Sequence, residues 1–404
     1  MATHTVFSTG FFRDRGLDYQ TRTVLGRAVH GGSDAGEVLA TIDRISDHDS
    51  WRSAWSETAE RVGALGDDLR RQGELHGARS AYLRSANYWA CVVESLSEMD
   101  DEAALLEAFR AHRASWDAFV DCADGAHVRV EVPYEGGALP GYLLRPDASG
   151  APRPTLVVTN GSDGAISGLW SDAAAGAVRR GWNAFVYDGP GQQSMLFERK
   201  TTFRPDWEAV LTPVVDTLVA RPDVDPDRLT GYGISQGGYW LPRALAFEHR
   251  LVAAVADPGV VDVSTSWTDP LGRRMRALLD RGDRAAFDRD MKLATALPSL
   301  RRTLAFRSRP YGPTGDWFAL FDEIRAYRLT GELAARITTP LLVTDPEGEQ
   351  FWPGQSRRLA ELLGDRAHLV AFTAAEGADL HCQPLGRAVT DARMFAWLTA
   401  HVRR

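Results

Sequence analysis

The chain has 404 residues, of which 44% are hydrophobic and 25% are charged, so it is long enough for more than one compact unit with a sizeable core. Its formal net charge of −8 at pH 7 argues against nucleic acid or an anionic membrane as the main partner, because both favour a basic surface. The cysteines Cys91, Cys122 and Cys382 are too few and too widely spaced for a disulfide framework or a paired-cysteine metal site.

No stretch of the sequence has the pattern of a targeting or membrane segment. Residues 1–15 lack a cationic start followed by an apolar stretch, and no segment reaches the roughly 18 uninterrupted apolar residues of a membrane span. Together with the unpaired cysteines, this pattern favours a cytoplasmic protein that works away from membranes.

Helical patterns fill the first part of the chain. The apolar spacing predicts helices over residues 35–44, 51–72, 75–99 and 101–119, separated by Asp, Ser and Gly. Strand patterns are missing from this stretch. We therefore predict an N-terminal helical domain over residues 1–124.

Beyond residue 125 the pattern changes to that of an α/β protein. Residues 127–133 alternate between apolar and polar, a Gly-Gly turn follows, and residues 139–144 complete the pattern of a β-hairpin. Continuous apolar runs then alternate with helix-like stretches, at residues 155–159, 184–187, 251–256 and 340–344. This pattern predicts an α/β fold with a mostly parallel sheet flanked by helices, formed by residues 125–261 and 337–404.

One motif in this part carries a candidate nucleophile. The run Gly233-Ile234-Ser235-Gln236-Gly237 fits the G-x-S-x-G pattern of a nucleophile elbow, between a short strand candidate and a helix-like stretch. The glycines remove side chains that would collide in so sharp a turn. We predict that Ser235 is a catalytic nucleophile, the alternative being an ordinary glycine-rich turn.

The interval between the strand candidates at 251–256 and 340–344 is too long for a simple crossover. It holds helix candidates at residues 273–280, 284–297 and 318–327, whereas a structureless loop of this length would be unusual in a compact domain. We predict a helical cap inserted at residues 262–336, over the carboxyl edge of the sheet.

A serine nucleophile needs a base within hydrogen-bond reach and an acid that orients the base. Because elbow enzymes keep the chain order Ser, then Asp or Glu, then His, the candidate bases are His368, His381 and His401. His368 enters a predicted strand and His401 lies in the last predicted helix, so both fit structural or exposed positions. His381 lies in the loop between that strand and that helix. We predict His381 as the base.

The acid is expected after the strand at residues 341–344, where the loop offers Asp345, Glu347 and Glu349. Spacing favours Glu349, which stands just ahead of the stretch that starts the next helix. Asp345 touches the strand end and stays the alternative acid, whereas Glu347 fits a solvated position. Since Glu is longer than Asp by about 1.5 Å, the loop must lie slightly further from the imidazole.

Acyl transfer also needs N–H donors for the developing oxyanion. One is normally the residue after the nucleophile and the other lies in the turn after an earlier strand, which nominates Gln236 and Ser162. A second glycine turn, at residues 188–194, lacks a phosphate-binding pattern and predicts a strand-to-helix connection. Since cofactor fingerprints and metal-ligand spacings are also missing, we expect neither a cofactor nor a metal.

Several of these segments together resemble one group of α/β-hydrolases. The group contains 2,6-dihydroxypseudooxynicotine hydrolase, the fungal polyketide-shortening hydrolases of pigment synthesis and the fermentation-respiration switch protein. The shared motifs are Asp188-Gly189-Pro190-Gly191-Gln192, Gly233-Ile234-Ser235-Gln236-Gly237-Gly238, Arg309-Pro310-Tyr311-Gly312, Glu347-Gly348-Glu349 with Phe351 and Gly354-Gln355, and Glu376-Gly377-Ala378 with His381-Cys382-Gln383. The sequence departs from the group twice, with Glu349 where the usual acid is Asp and Gln193 where a glycine is frequent.

The resemblance implies the α/β-hydrolase fold, a Ser/His/acid triad, an N-terminal helical domain that helps to close the site, and frequent homodimers. Group members with defined chemistry hydrolyse C–C bonds beside a carbonyl in aromatic or polyketide-like β-diketones. The leading hypothesis is a serine hydrolase that cleaves such a bond in a small carbonyl substrate through an acyl-enzyme at Ser235. The alternatives are an esterase or thioesterase, an acyltransferase of secondary metabolism, and a partner-binding protein with an inactive hydrolase core.

Overall fold

The first part of the chain is helical, as predicted. The computed structural model describes residues 10–99, 101–313 and 315–403. The N-terminal helices are α1 (Arg15–Gly26), α2 (Ala35–Ile42), α3 (His48–Arg71), α4 (Leu75–Ser97) and α5 (Glu102–Asp121), with a 3-10 turn at Arg27–His30. The predicted helices correspond to α2 to α5, whereas α1 was not predicted from the sequence.

These five helices share one way of starting. A carboxylate immediately before each helix accepts a hydrogen bond from a free N–H of the first turn, the carboxylates being those of Asp14, Asp34, Asp47, Glu74 and Asp101. The apolar faces of the helices then enclose one core, which includes Trp51, Trp55, Tyr88 and Phe109. The N-terminal helices therefore share one core, which Phe197 from the rest of the chain also joins.

The rest of the chain is built on one sheet of eight strands in the order β1-β2-β4-β3-β5-β6-β7-β8. The strands are β1 (His127–Tyr134), β2 (Gly137–Leu144), β3 (Arg153–Thr159), β4 (Asn183–Tyr187), β5 (Val224–Ile234), β6 (Leu251–Asp257), β7 (Leu341–Pro346) and β8 (Ala367–Phe372). The strands of the predicted hairpin, β1 and β2, pair antiparallel, and β2 also pairs antiparallel with β4. Strands β3 to β8 are all parallel to one another. The predicted fold class is confirmed.

Helices cover both faces of this sheet. They are α6 (Ile166–Leu169), which continues through a π-helical turn at Trp170–Ala174 into α7 (Ala175–Arg179), then α8 (Gln193–Phe197), α9 (Glu208–Val219) and α10 (Gly237–Leu245). Alternate residues of β3 enter two different cores, with Val157 on one face and Leu156 and Val158 on the other. Burial on both faces explains why the parallel strands read as continuous apolar runs.

A set of short helices separates β6 from β7. They are α11 (Thr265–Thr268), α12 (Arg273–Asp280), α13 (Arg284–Ala294), α14 (Pro298–Ser308), α15 (Trp317–Ile324) and α16 (Gly331–Arg336). The buried side chains of these helices, such as Phe287 and Phe321, join the core on one face of the sheet. Two more helices follow, α17 (Gln355–Leu363) between β7 and β8 and α18 (Arg387–Val402) after β8. The exact division at residues 124, 261 and 336 stays a prediction. Among the described residues, every helix is too short or too polar to cross a membrane.

Candidate active site

Ser235 occupies the sharp turn between β5 and α10. Its φ of 55° lies in the left-handed region, which a residue with a side chain rarely adopts. Close packing explains the glycines on either side, since a Cβ on Gly233 would lie 2.3 Å from the carbonyl oxygen of Gly237, and one on Gly237 would lie 2.6 Å from that of Thr159. The Ser235 N–H donates to the carbonyl oxygen of Asp257 at 2.6 Å, which anchors the turn to β6.

The structure brings Ser235, His381 and Glu349 into one hydrogen-bonded row. His381 Nε2 lies 2.9 Å from Ser235 Oγ, and His381 Nδ1 lies 2.8 Å from Glu349 Oε2. The His381 and Glu349 side chains are each 5% exposed, so water competes little for these bonds. An acceptor at Nδ1 fixes the imidazole tautomer that leaves Nε2 free to accept the serine proton.

Glu349 is held as a carboxylate by its surroundings. Its Oε1 accepts hydrogen bonds from the N–H groups of Phe351 at 2.9 Å and Trp352 at 3.1 Å. Burial raises the pKa of the Glu349 carboxyl, but the charge and hydrogen bond of His381 and these two N–H donors outweigh it, so the pKa lies below its usual range. Glu349 therefore stays ionised beside the imidazole at neutral pH.

The other candidates from the sequence lie elsewhere. Asp345 pairs with Arg357, its Oδ2 lying 2.9 Å from the guanidinium Nε, and it does not contact His381. The rings of His368 and His401 both pack against Trp397, on β8 and α18. Of the three late histidines, only His381 contacts Ser235.

Contacts from three directions hold the His381 loop in place. The Tyr19 hydroxyl on α1 donates to the carbonyl oxygen of His381 at 2.8 Å, and the His381 N–H donates to Gln350 Oε1 at 2.9 Å. The ring of Phe351 meets the imidazole edge to face at 4.7 Å. Tyr19 brings the N-terminal region into the site, and its role was not predicted from the sequence because α1 itself was not.

The buried residue Asp257 connects the elbow to neighbouring strands and to the loop of His381 through hydrogen bonds. Asp257 is 0% exposed, and its carboxylate accepts hydrogen bonds from Tyr232 and Thr344 at 2.7 Å and from Gln383 at 2.9 Å. Arg387 of α18 adds a charged partner at 3.3 Å. Since Asp257 also accepts the Ser235 N–H through its backbone, one residue links the elbow to the chain that carries His381.

The turn after β3 passes directly over the nucleophile. A Cβ on Gly161 would lie 2.8 Å from the Ser235 Cβ, so the turn can approach this closely only with glycine. Ser162, which follows this glycine, and Gln236, which follows the serine, are the two residues that the sequence nominates as oxyanion donors. In the described parts of the chain, neither of their N–H groups has a hydrogen-bond acceptor, so both are free to bind one.

Gln192 fixes the position of that turn, and the sequence did not assign this role. Its Oε1 accepts from the Gly189 N–H at 2.8 Å, and its Nε2 donates to the carbonyl oxygens of Asn160 and Gly161 at 3.0 Å. One buried amide therefore joins the glycine turns after β3 and β4. The run Asp188-Gly189-Pro190-Gly191-Gln192 marked this segment without revealing its function.

A cavity of about 580 Å³ lies beside Ser235 and His381. Its wall combines α1 and α4 of the N-terminal region, the turn after β3, and the helices between β6 and β7. The wall is rich in aromatic side chains, namely Phe197, Trp267, Phe306, Tyr311, Phe351 and Trp352. This volume and lining suit a small organic molecule. Within the ranges that the structure describes, no group of His, Cys, Asp and Glu side chains is placed to hold a metal ion.

Comparisons with known proteins agree with the geometry. A model of the prolyl oligopeptidase family matches residues 211–302, which include the elbow. The chain is 29% identical to 20-hydroxy-prefusarin hydrolase FUS2 of Gibberella moniliformis (strain M3125 / FGSC 7600), over 98% of this chain and 97% of the relative. It is 33% identical to alpha/beta hydrolase psoB of Aspergillus fumigatus (strain ATCC MYA-4609 / CBS 101355 / FGSC A1100 / Af293), over 76% of this chain and 71% of the relative.

A solved structure shares the fold over nearly the whole chain. The crystal structure of 2,6-dihydroxy-pseudo-oxynicotine hydrolase aligns with a TM-score of 0.72 at 18% identity, covering 92% of this chain and 94% of that one. The resemblance inferred from the motifs is thus confirmed. With 33% identity to psoB across most of both chains and the fold of a solved hydrolase, this protein is a hydrolase that belongs to the α/β-hydrolase family.

Proposed function

We propose that Ser235, His381 and Glu349 form a catalytic triad, and that the protein hydrolyses a C–C bond beside a carbonyl of a β-diketone or polyketide-like ketone. The observation that carries the proposal is the continuous row from Ser235 Oγ through the imidazole to Glu349, with bonds of 2.9 and 2.8 Å. Such a row turns a weakly nucleophilic hydroxyl into a group that can attack a carbonyl at neutral pH.

The chemistry follows from the geometry in two half-reactions. Ser235 Oγ attacks the substrate carbonyl while His381 Nε2 accepts the serine proton, and the charge of Glu349 stabilises the imidazolium. The N–H groups of Gln236 and Ser162 stabilise the oxyanion of the tetrahedral adduct. The C–C bond then breaks, the carbon leaving group departs as an enolate that takes the proton from His381, and an acyl-serine remains. A water molecule hydrolyses this acyl-serine with the neutral His381 as its base.

The substrate class rests on the wall of the cavity and on the relatives. An aromatic wall around a volume of about 580 Å³ favours a ring-bearing or polyketide-like ketone. One relative that aligns along almost the whole chain is named 20-hydroxy-prefusarin hydrolase. We take that compound only as a guide to the size of the substrate. The family resemblance in the motifs adds the C–C bond as the scissile bond.

An esterase or thioesterase is the second candidate, because the same triad and oxyanion donors would cleave an activated ester. An acyltransferase is a third, since an aromatic cavity can exclude water and admit another nucleophile. A binding protein with an inactive core is disfavoured by the intact row at Ser235.

Product analysis with benzoylacetone dimethylated between its carbonyls separates these functions. We expect a carboxylic acid and a ketone in equal amounts, and a fluorophosphonate probe should label Ser235. The Ser235→Ala variant should lose at least about 1,000-fold in kcat, while Ser53→Ala, which changes an exposed serine of α3, should keep its activity.

Rapid hydrolysis of p-nitrophenyl acetate without any diketone cleavage would instead make the protein an esterase. Products that incorporate an added amine or alcohol would indicate an acyltransferase, and failure to label Ser235 would favour the binding role.

We also propose that the protein is a homodimer, which rests on the family resemblance alone. Sedimentation velocity tests it directly, because a monomer and a dimer differ twofold in mass. A single monomeric species across the accessible concentration range would reject the dimer.

A further inference from the structure

The wall of the cavity that contains Ser235 also carries a carboxyl group without an ion-pair partner among the described residues. Glu94 lies on α4 of the N-terminal region and lines the same cavity as Ser235 and His381. Its side chain is only partly exposed, and no Lys, Arg or His of the described chain forms a salt bridge with it. Two other acidic residues near the site have ion-pair partners, Glu349 with His381 and Asp172 with Arg387.

Neighbouring groups make this carboxyl hard to ionise. The charged and polar side chains that face it are Asp163 from the turn after β3, Tyr19 and Gln20 from α1, Arg27 from the 3-10 turn after α1, and Cys91 and Glu98 from α4. Burial and the charges of Asp163 and Glu98 raise the pKa of Glu94, Arg27 and Gln20 lower it in part, and the result is about 8. Burial raises the pKa of the neighbouring Asp163 carboxyl as well, so this pair of buried acids retains a proton at neutral pH, and we assign that proton to Glu94.

The proposed reaction has a use for such an acid. Breaking a C–C bond beside a carbonyl leaves the electron pair on the departing half, which becomes an enolate with its charge mainly on oxygen. The N–H groups of Gln236 and Ser162 are occupied with the first oxyanion at that moment, so the enolate oxygen needs a donor of its own. A neutral carboxylic acid is a strong donor that need not be taken from the triad.

We propose that protonated Glu94 binds and protonates the oxygen of the departing enolate, an inference that rests on the proposed C–C hydrolysis. In this step Ser235 Oγ bonds to the carbonyl carbon and its proton moves to His381, then the C–C bond breaks and its electron pair forms the enolate. Glu94 gives its proton to the enolate oxygen. As the enol becomes a ketone, His381 delivers the serine proton to carbon and Glu94 recovers its own, so both groups are ready for hydrolysis of the acyl-serine.

The test is the pH profile of kcat for two substrates, across roughly pH 6 to 10. With dimethylated benzoylacetone, the kcat of the wild type should fall as the pH rises through the range in which Glu94 loses its proton. With p-nitrophenyl acetate it should not, because nitrophenolate leaves without a proton. Glu94→Gln keeps a hydrogen-bond donor at every pH, so it should abolish the alkaline loss while lowering kcat about 10-fold. Glu94→Ala should lower diketone cleavage about 100-fold at all pH values and leave ester hydrolysis within about 3-fold.

Two further variants sharpen the test. Asp163→Asn removes the charge that raises the Glu94 pKa, so the alkaline loss should move to lower pH. Glu107→Gln, at an exposed site on α5, is the matched control and should behave as the wild type. Wild-type protein that cleaves no diketone would reject the proposed function itself. Wild-type cleavage that survives in Glu94→Ala, or an alkaline loss that persists in Glu94→Gln, would reject only the role of Glu94.

Discussion

At the scale of single residues, the acid of the proposed triad is the least expected feature. Glu349 takes the role that the family resemblance gives to Asp, and its longer side chain is fixed by the N–H groups of Phe351 and Trp352. These bonds orient the carboxylate toward His381 Nδ1 and remove the freedom that the extra methylene would bring. Asp345 is nearer to the strand end, but its carboxylate is committed to Arg357.

Substitution of these two acids should have very different effects. Glu349→Gln keeps the shape but loses the charge that stabilises the imidazolium, so kcat for p-nitrophenyl acetate should fall about 1,000-fold or more. Asp345→Asn should change kcat less than about 3-fold, because it breaks only a bond to an exposed arginine. Equal losses in both variants would contradict the assignment of Glu349 and restore Asp345 as a candidate.

At the scale of the elements, two glycine turns and one glutamine form the side of the site where we propose that the oxyanion binds. Gln192 bonds to three backbone groups, in the turns after β3 and β4. A buried backbone group without a hydrogen-bond partner destabilises the folded state, so this side chain stabilises both turns at once. The free N–H of Ser162 therefore depends on Gln192 for its position.

The Gln192→Ala variant should report this dependence. Loss of the amide leaves buried backbone groups unpaired at a cost of about 1–3 kcal/mol each in the free energy of unfolding. We expect kcat to fall about 10- to 100-fold with a smaller change in KM, and Tm to fall by several degrees. Gln72→Ala, at an exposed site after α3, serves as the control. An unchanged kcat with a lowered Tm would show that Gln192 matters for stability alone.

The elements themselves could be predicted from the sequence, whereas these connections could not. Continuous apolar runs marked β3, β4, β6 and β7 because both faces of the sheet are covered, and the glycines marked the elbow. Residues such as Tyr19 and Asp257 act through partners far away in the chain, and local patterns carry no trace of such pairs. For Glu94 the sequence offers only a weak indication, since it is an acidic residue within an apolar stretch of α4.

At the scale of the whole molecule, the N-terminal helices are fastened to the sheet by buried polar contacts. Arg113 of α5 forms an ion pair with Asp188, which is 0% exposed at the end of β4. At the start of β1, His127 Nε2 accepts a hydrogen bond from Arg79 of α4 at 2.6 Å. The accepting nitrogen carries no proton, so this contact requires neutral histidine.

The second contact should make the protein sensitive to acid. Burial and the nearby charge of Arg79 lower the pKa of His127 to about 3, so the unfolded chain takes up the proton first as the pH falls. Stability is therefore lost as the pH drops below the ordinary histidine value, by up to about 1.4 kcal/mol per pH unit. His127→Gln should flatten the fall in Tm between neutral and mildly acid pH, whereas His76→Gln, at an exposed site, should not. Equal slopes in both variants would contradict the role of His127.

The bond from the Tyr19 hydroxyl to the backbone of His381 couples access and reactivity. Helix α1 lines the cavity, and through Tyr19 the same helix holds the backbone of His381. We therefore expect a displacement of α1 to change the shape of the cavity and the position of His381 together.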